Sequence, residues 1–75
     1  MENRKFFSER LALLRTSKGL SMSALGDLLG VSDEAVRLME RGKRSPSFEV
    51  LISIAAYFDV SLDYLVGRSD DPARH

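Results

Sequence analysis

Cysteine is absent from this 75-residue chain, so no disulfide can staple it and no thiolate can hold a metal. The one histidine, His75, stands at the C-terminal end, which excludes a histidine-based catalytic triad and leaves a metal ligand without companions. Carboxylates are scattered and no glycine-rich phosphate cradle occurs, so no catalytic residue, metal or cofactor is expected. No apolar run approaches the length of a membrane span, and MENRKFFSER lacks the apolar core of a signal peptide. A cytoplasmic protein with no membrane partner is the expectation. Net charge is missing too: 11 Lys and Arg balance 11 Asp and Glu, which by itself counts against a polyanionic partner.

What is present is an ordinary globular composition, 44% apolar and 29% charged, in a chain long enough for one small domain. The charge is unevenly spread. Residues 1–44 carry nine Lys and Arg against six Asp and Glu, and residues 45–75 carry two against five. The N-terminal part is therefore positive by three and the rest negative by three.

Apolar spacing predicts five short helices. Phe7, Leu11 and Leu14 make a core-facing stripe on a first helix over residues 4–18, with Arg4, Lys5, Glu9 and Arg10 on its wet side. Gly19 ends it and Leu20 packs beneath the corner. Residues 21–44, SMSALGDLLGVSDEAVRLMERGKR, read as two helices around a tight turn. Ser21 and Ser32 are the N-caps, Leu25, Leu28 and Leu29 the first apolar set, Val36 and Met39 the second. Gly30 suits the left-handed corner between them, and Val31 plugs it. Gly26, costly inside a helix, is explained by the close approach of another helix. A helix pair joined by a short Gly-containing turn is the signature of a helix-turn-helix.

Gly42 and Pro46 close the third helix, and Ser47 caps a fourth, whose arc of Phe48, Leu51, Ile54, Ala55 and Phe58 should be core. Val50 and Tyr57 project to its other side. Ser61 caps a brief fifth helix, Leu62 to Val66, which Gly67 stops. The domain is expected over residues 1–67, with a flexible tail over 68–75.

Arg10-Leu11, Leu14-Arg15, Gly19-Leu20-Ser21, Leu25, Leu29-Gly30-Val31-Ser32, Val36, Glu40-Arg41-Gly42-Lys43-Arg44, Pro46-Ser47, Ile54-Ala55 and Val60 to Leu65 together resemble the Cro and phage-repressor type of helix-turn-helix, the XRE family. The resemblance runs from Phe7 to Gly67. It implies an all-α, five-helix, lambda-repressor-like fold and a sequence-specific regulator, a repressor by type, binding double-stranded DNA as dimers on two-fold sites. The third helix, about residues 33–41, would enter the major groove.

Carried onto this chain, the resemblance makes Ser21, Met22, Ser32, Asp33, Glu34, Arg37, Leu38 and Arg41 the DNA-facing set. Lys43 and Arg44 follow as phosphate contacts, which fix register without reading sequence. Two departures stand out. Met22 replaces a glutamine and offers only its backbone N–H, and carboxylates at Asp33 and Glu34 occupy positions that commonly read bases. These acids either support the positive end of their helix, Asp33 pairing with Arg37, or select cytosine through N4; Leu38 could meet a thymine methyl.

Glu40 falls on the core side of its helix and needs a partner, for which the resemblance supplies Arg15. A weak homodimer is expected through Val50, Tyr57, Tyr64 and Val66, the apolar residues left over from the core. The alternative function is a protein-interaction module that keeps the fold and has little DNA affinity.

Overall fold

Four serines set where four of the helices begin. In the computed structural model, which describes residues 2–73, helix α1 spans Glu2–Ser17, α2 Met22–Leu29, α3 Asp33–Glu40, α4 Phe48–Phe58 and α5 Leu62–Leu65. The hydroxyls of Ser21, Ser32, Ser47 and Ser61 accept from the backbone N–H groups of Ala24, Ala35, Val50 and Tyr64, each three residues on. Every cap satisfies one of the orphan donors that a helix start leaves open. The protein is all-α, and α1 begins two residues before the apolar stripe predicted it would.

The ends are as local as the starts. Gly30 takes φ 74° and returns its N–H to the Gly26 carbonyl, turning the chain sharply from α2 into α3. Asp59 does the same job after α4 at φ 57°, a conformation that Asp tolerates better than most side chains.

Phe7 and Leu11 of α1, Leu25 of α2, Val36 and Met39 of α3 and Ile54, Ala55 and Phe58 of α4 converge in one core, joined by Val60 and Leu65. The stripe read from the sequence lands here, with Leu14, Leu20, Leu29, Val31 and Leu51 half-buried around it. Leu28 does not join and stays exposed.

Three packing expectations change. Phe48 was expected in the core and is 74% exposed. It is the first residue of α4, and helical side chains lean toward the N-terminus, so its ring overhangs the end of the core. Val50 was expected outside and is half-buried, because Val31, Ala35 and Met39 reach the side of α4 that a single-helix projection leaves open. At Gly26 the close neighbour is the turn itself and not another helix: a Cβ there would lie 2.6 Å from the Val31 carbonyl oxygen and 3.2 Å from the Ser32 carbonyl carbon.

Residues of the expected tail also make contacts with the helices. Arg10, placed on the wet side of α1 by its spacing, donates to the carbonyls of Tyr64 and Ser69 and to Asp70 Oδ1, and its guanidinium lies over the rings of Phe6 and Tyr64. The Ser61 N–H bonds the Pro72 carbonyl at 3.0 Å. The last two residues of the expected tail, His75 among them, lie outside the described residues.

Gly26→Ala tests the tight turn. Alanine gains about 1 kcal/mol in helix propensity, yet its methyl must displace backbone, and overpacking of this kind costs about 1–3 kcal/mol. A thermal midpoint lower than that of the parent chain is expected; a higher one would show that the turn yields freely.

Candidate nucleic-acid interface

The helix pair presents one face of α3 outward. Its inner face, Ala35, Val36 and Met39, is buried, and Ala35 is a core position that the spacing did not single out. Opposite lie Asp33, Glu34 and Arg41, all exposed, with Arg37 and Leu38 half-exposed between them. At the start of α2, Ser21 is exposed, and Met22 contributes a first-turn N–H with no acceptor inside the helix. The cap hydroxyls of Ser21 and Ser32 spend acceptor capacity only, which leaves their hydrogens free to donate.

The two acids have different tasks. Asp33 Oδ1 accepts from the Glu34 N–H at 2.9 Å, so its carboxylate is folded back on the helix start. Arg37 therefore pairs with Glu34, and not with Asp33 as the i,i+4 spacing suggested: its Nε lies 3.1 Å from Glu34 Oε1, and Nη2 donates to Oε2. The pair is exposed, and its two groups partly neutralise each other on the outward face.

Beyond α3 the sign is unopposed. Among the described residues Arg41, Lys43 and Arg44 are exposed and have no ion-pair partner. The loop that carries them is held by its backbone, Gly42 N–H to the Met39 carbonyl at 3.2 Å and Lys43 N–H to the Leu38 carbonyl at 2.9 Å. The cations are thus free at their tips and fixed at their roots.

One ion pair positions this face. Arg15 Nε lies 2.6 Å from Glu40 Oε2 and Nη2 lies 3.0 Å from Oε1, while Nη1 donates to the Leu20 carbonyl at 2.8 Å. The Glu40 side chain is 6% exposed. One guanidinium therefore joins the end of α1, the loop into α2 and the end of α3. Its hydrogen bond to Glu40 raises the Arg15 pKa above its ordinary value against the opposing effect of desolvation, so the cation persists.

The four residues offered for self-association differ in exposure. Tyr57 is 39% exposed and sits under the Lys18 ammonium near the end of α1. Val50 and Tyr64 pack on the core, and Val66 lines a hollow with Asn3, Arg4 and Pro46. Exposed apolar side chains include Leu13 of α1, Leu28 of α2, Tyr57 itself and a set on α4 and α5: Phe48 and Ile52 one turn apart on α4, and Leu62 with Ala56 across the groove between α4 and α5. Spacing on one helix could not reveal that set, because the elements packed on α4, α2 and α5 among them, decide which of its sides are covered.

Five helices with a capped, glycine-turned pair presenting α3 outward define a helix-turn-helix protein of the Cro and repressor type. The chain belongs to the helix-turn-helix family HTH_3, which matches residues 11–65. It is 41% identical over 66 residues to the uncharacterized HTH-type transcriptional regulator YqaE of Bacillus subtilis, covering 87% of this chain and 57% of that protein. The chain spans about half the length of the first such relatives, 57%, 59% and 52%.

Solved structures agree on a lambda-repressor-like fold. The P22 c2 repressor, crystallised with synthetic operator 9T, superposes with a TM-score of 0.78 at 30% identity, over 84% of this chain and 96% of that one. The restriction-modification controller protein C.AhdI of Aeromonas hydrophila gives 0.74 at 34% identity, over 87% and 98%.

Glu40→Ala leaves the Arg15 guanidinium without its carboxylate. Breaking such a pair costs about 3–5 kcal/mol when buried, and partial access of water to Arg15 favours the lower end. The thermal midpoint should fall far below that of Glu49→Ala, a change on an exposed helix start. Equal midpoints would mean that the pair contributes little.

Proposed function

We propose that the protein is a sequence-specific DNA-binding transcriptional regulator, a repressor by type, that inserts α3 into the major groove. The observation that carries this reading is the run of unpaired cations, Arg41, Lys43 and Arg44, directly after an outward helix face. Neutralising phosphates there releases counterions and supplies affinity for any sequence, while Arg37, Leu38 and Ser32 face the bases. Asp33 serves the helix start and Glu34 pairs with Arg37.

A titration against duplex DNA at several salt concentrations tests this. Lys43→Ala with Arg44→Ala should weaken binding to all sequences and flatten the dependence of log K on log salt by about 0.9 for each phosphate no longer neutralised. In the same series Asp33→Asn with Glu34→Gln should strengthen binding to every sequence by removing repulsion. A changed base preference without a general gain would make one acid a reader of cytosine. Failure of the parent chain to bind any duplex at low salt would leave the protein-interaction module as the function.

We also propose a weak homodimer. The eight residues of α3 are about 12 Å long, and proteins of this architecture gain specificity by pairing on half-sites about 34–36 Å apart. The exposed stripe of Phe48, Ile52 and Leu62 supports this, in place of the four residues that spacing suggested. Sedimentation with and without the preferred duplex should show association that Ile52→Lys with Leu62→Lys abolishes. A dimer that survives both changes, or a parent chain that is monomeric on and off DNA, refutes the proposal.

A further inference from the structure

We infer that a cleft between the start of α1 and the end of α3 is an additional site for a backbone phosphate of the bound duplex. This rests on the DNA-binding reading and extends it to residues outside the helix pair. Arg4 and Lys5 from the first turns of α1 and Arg41 from the end of α3 line one open hollow of about 300 Å³, floored by Ser8 and Gly42. Among the described residues none of the three cations has an acidic partner. Arg10, Arg15, Arg37 and Arg68, by contrast, are each paired with a carboxylate. Three like charges around one cleft repel each other and focus a field that an anion relieves.

The occupant follows from the donors. Ser8 Oγ already donates to the Lys5 carbonyl at 2.9 Å, and the Gly42 N–H is taken by Met39, so the floor offers no oriented hydrogen bond. What remains is charge on long, adaptable side chains, which suits a repeating phosphodiester and not a small molecule that must be recognised by shape. Position agrees. Arg41 is shared between the cleft and the cationic loop, so the strip runs without interruption from α1 across Arg41 to Lys43 and Arg44. The body measures 28 × 24 × 21 Å, wider than the roughly 12 Å major groove. With α3 in the groove, the rest of the molecule overhangs the flanking sugar–phosphate strand.

The test uses the full chain with Arg4→Ala and Lys5→Ala together, both exposed. Against a duplex that the parent binds, the salt slope should flatten by about 0.9, with the preferred sequence unchanged. A scan placing one neutral methylphosphonate linkage at a time should find a flanking position where the parent loses several-fold in affinity and the double variant loses none. Arg68→Ala, which removes a cation paired on α5, should leave both readouts as in the parent. An unchanged slope, or a linkage profile identical to the parent's, overturns the cleft while leaving the DNA-binding reading intact. No binding by the parent chain overturns both.

Discussion

A single guanidinium holds the presenting face of this protein in place. Arg15 reaches Glu40 with two nitrogens and the Leu20 carbonyl with the third, so the ends of α1 and α3 and the loop before α2 share one fastening. Glu40 ends α3, where the negative end of the helix dipole disfavours a carboxylate, and its side chain is almost wholly enclosed. Such a group is tolerable only when paired, and the requirement ties the orientation of α3 to α1. The apolar core sets that the helices pack. The ion pair ties the end of α3 to the end of α1 and the loop before α2.

The rest of the interface inherits that rigidity. The turn between α2 and α3 has no room for a methyl at Gly26, because the Val31 carbonyl lies against it. Backbone hydrogen bonds root the loop after α3, from Gly42 to Met39 and from Lys43 to Leu38. Under the proposed function, cations at the tips of a loop rooted in this way lose little further backbone freedom on meeting a polyanion. The net charge of zero is no obstacle, since acids outnumber bases only beyond residue 44 and those on α3 are already engaged. Asp33 is bonded to its own helix start, Glu34 to Arg37 and Glu40 to Arg15.

Five residues earlier on α1, Arg10 plays the corresponding part. Its guanidinium lies over Phe6 and Tyr64 and binds two carbonyls and a carboxylate, drawing residues 69–70 onto α1. Part of the segment after α5 thereby contacts α1. This clasp also covers one face of the Tyr64 ring with the Arg10 guanidinium.

Local physics was legible in the sequence. Four serine caps and the left-handed corner at Gly30 depend on groups within a few residues of one another, so composition and spacing suffice to locate the helices. The core stripe of Phe7, Leu11, Leu25, Val36 and Ile54 follows from period alone. The positive loop after α3 is likewise written in consecutive residues. The choice of Glu34 over Asp33 as the partner of Arg37 was decided by competition, because the Glu34 N–H already holds the Asp33 carboxylate. The burial of Val50, the exposure of Phe48, the clasp at Arg10 and the meeting of Arg4 and Lys5 with Arg41 belong to the tertiary structure. Each depends on which neighbouring element covers a helix face, and contacts between residues tens of positions apart leave no periodic trace in the chain.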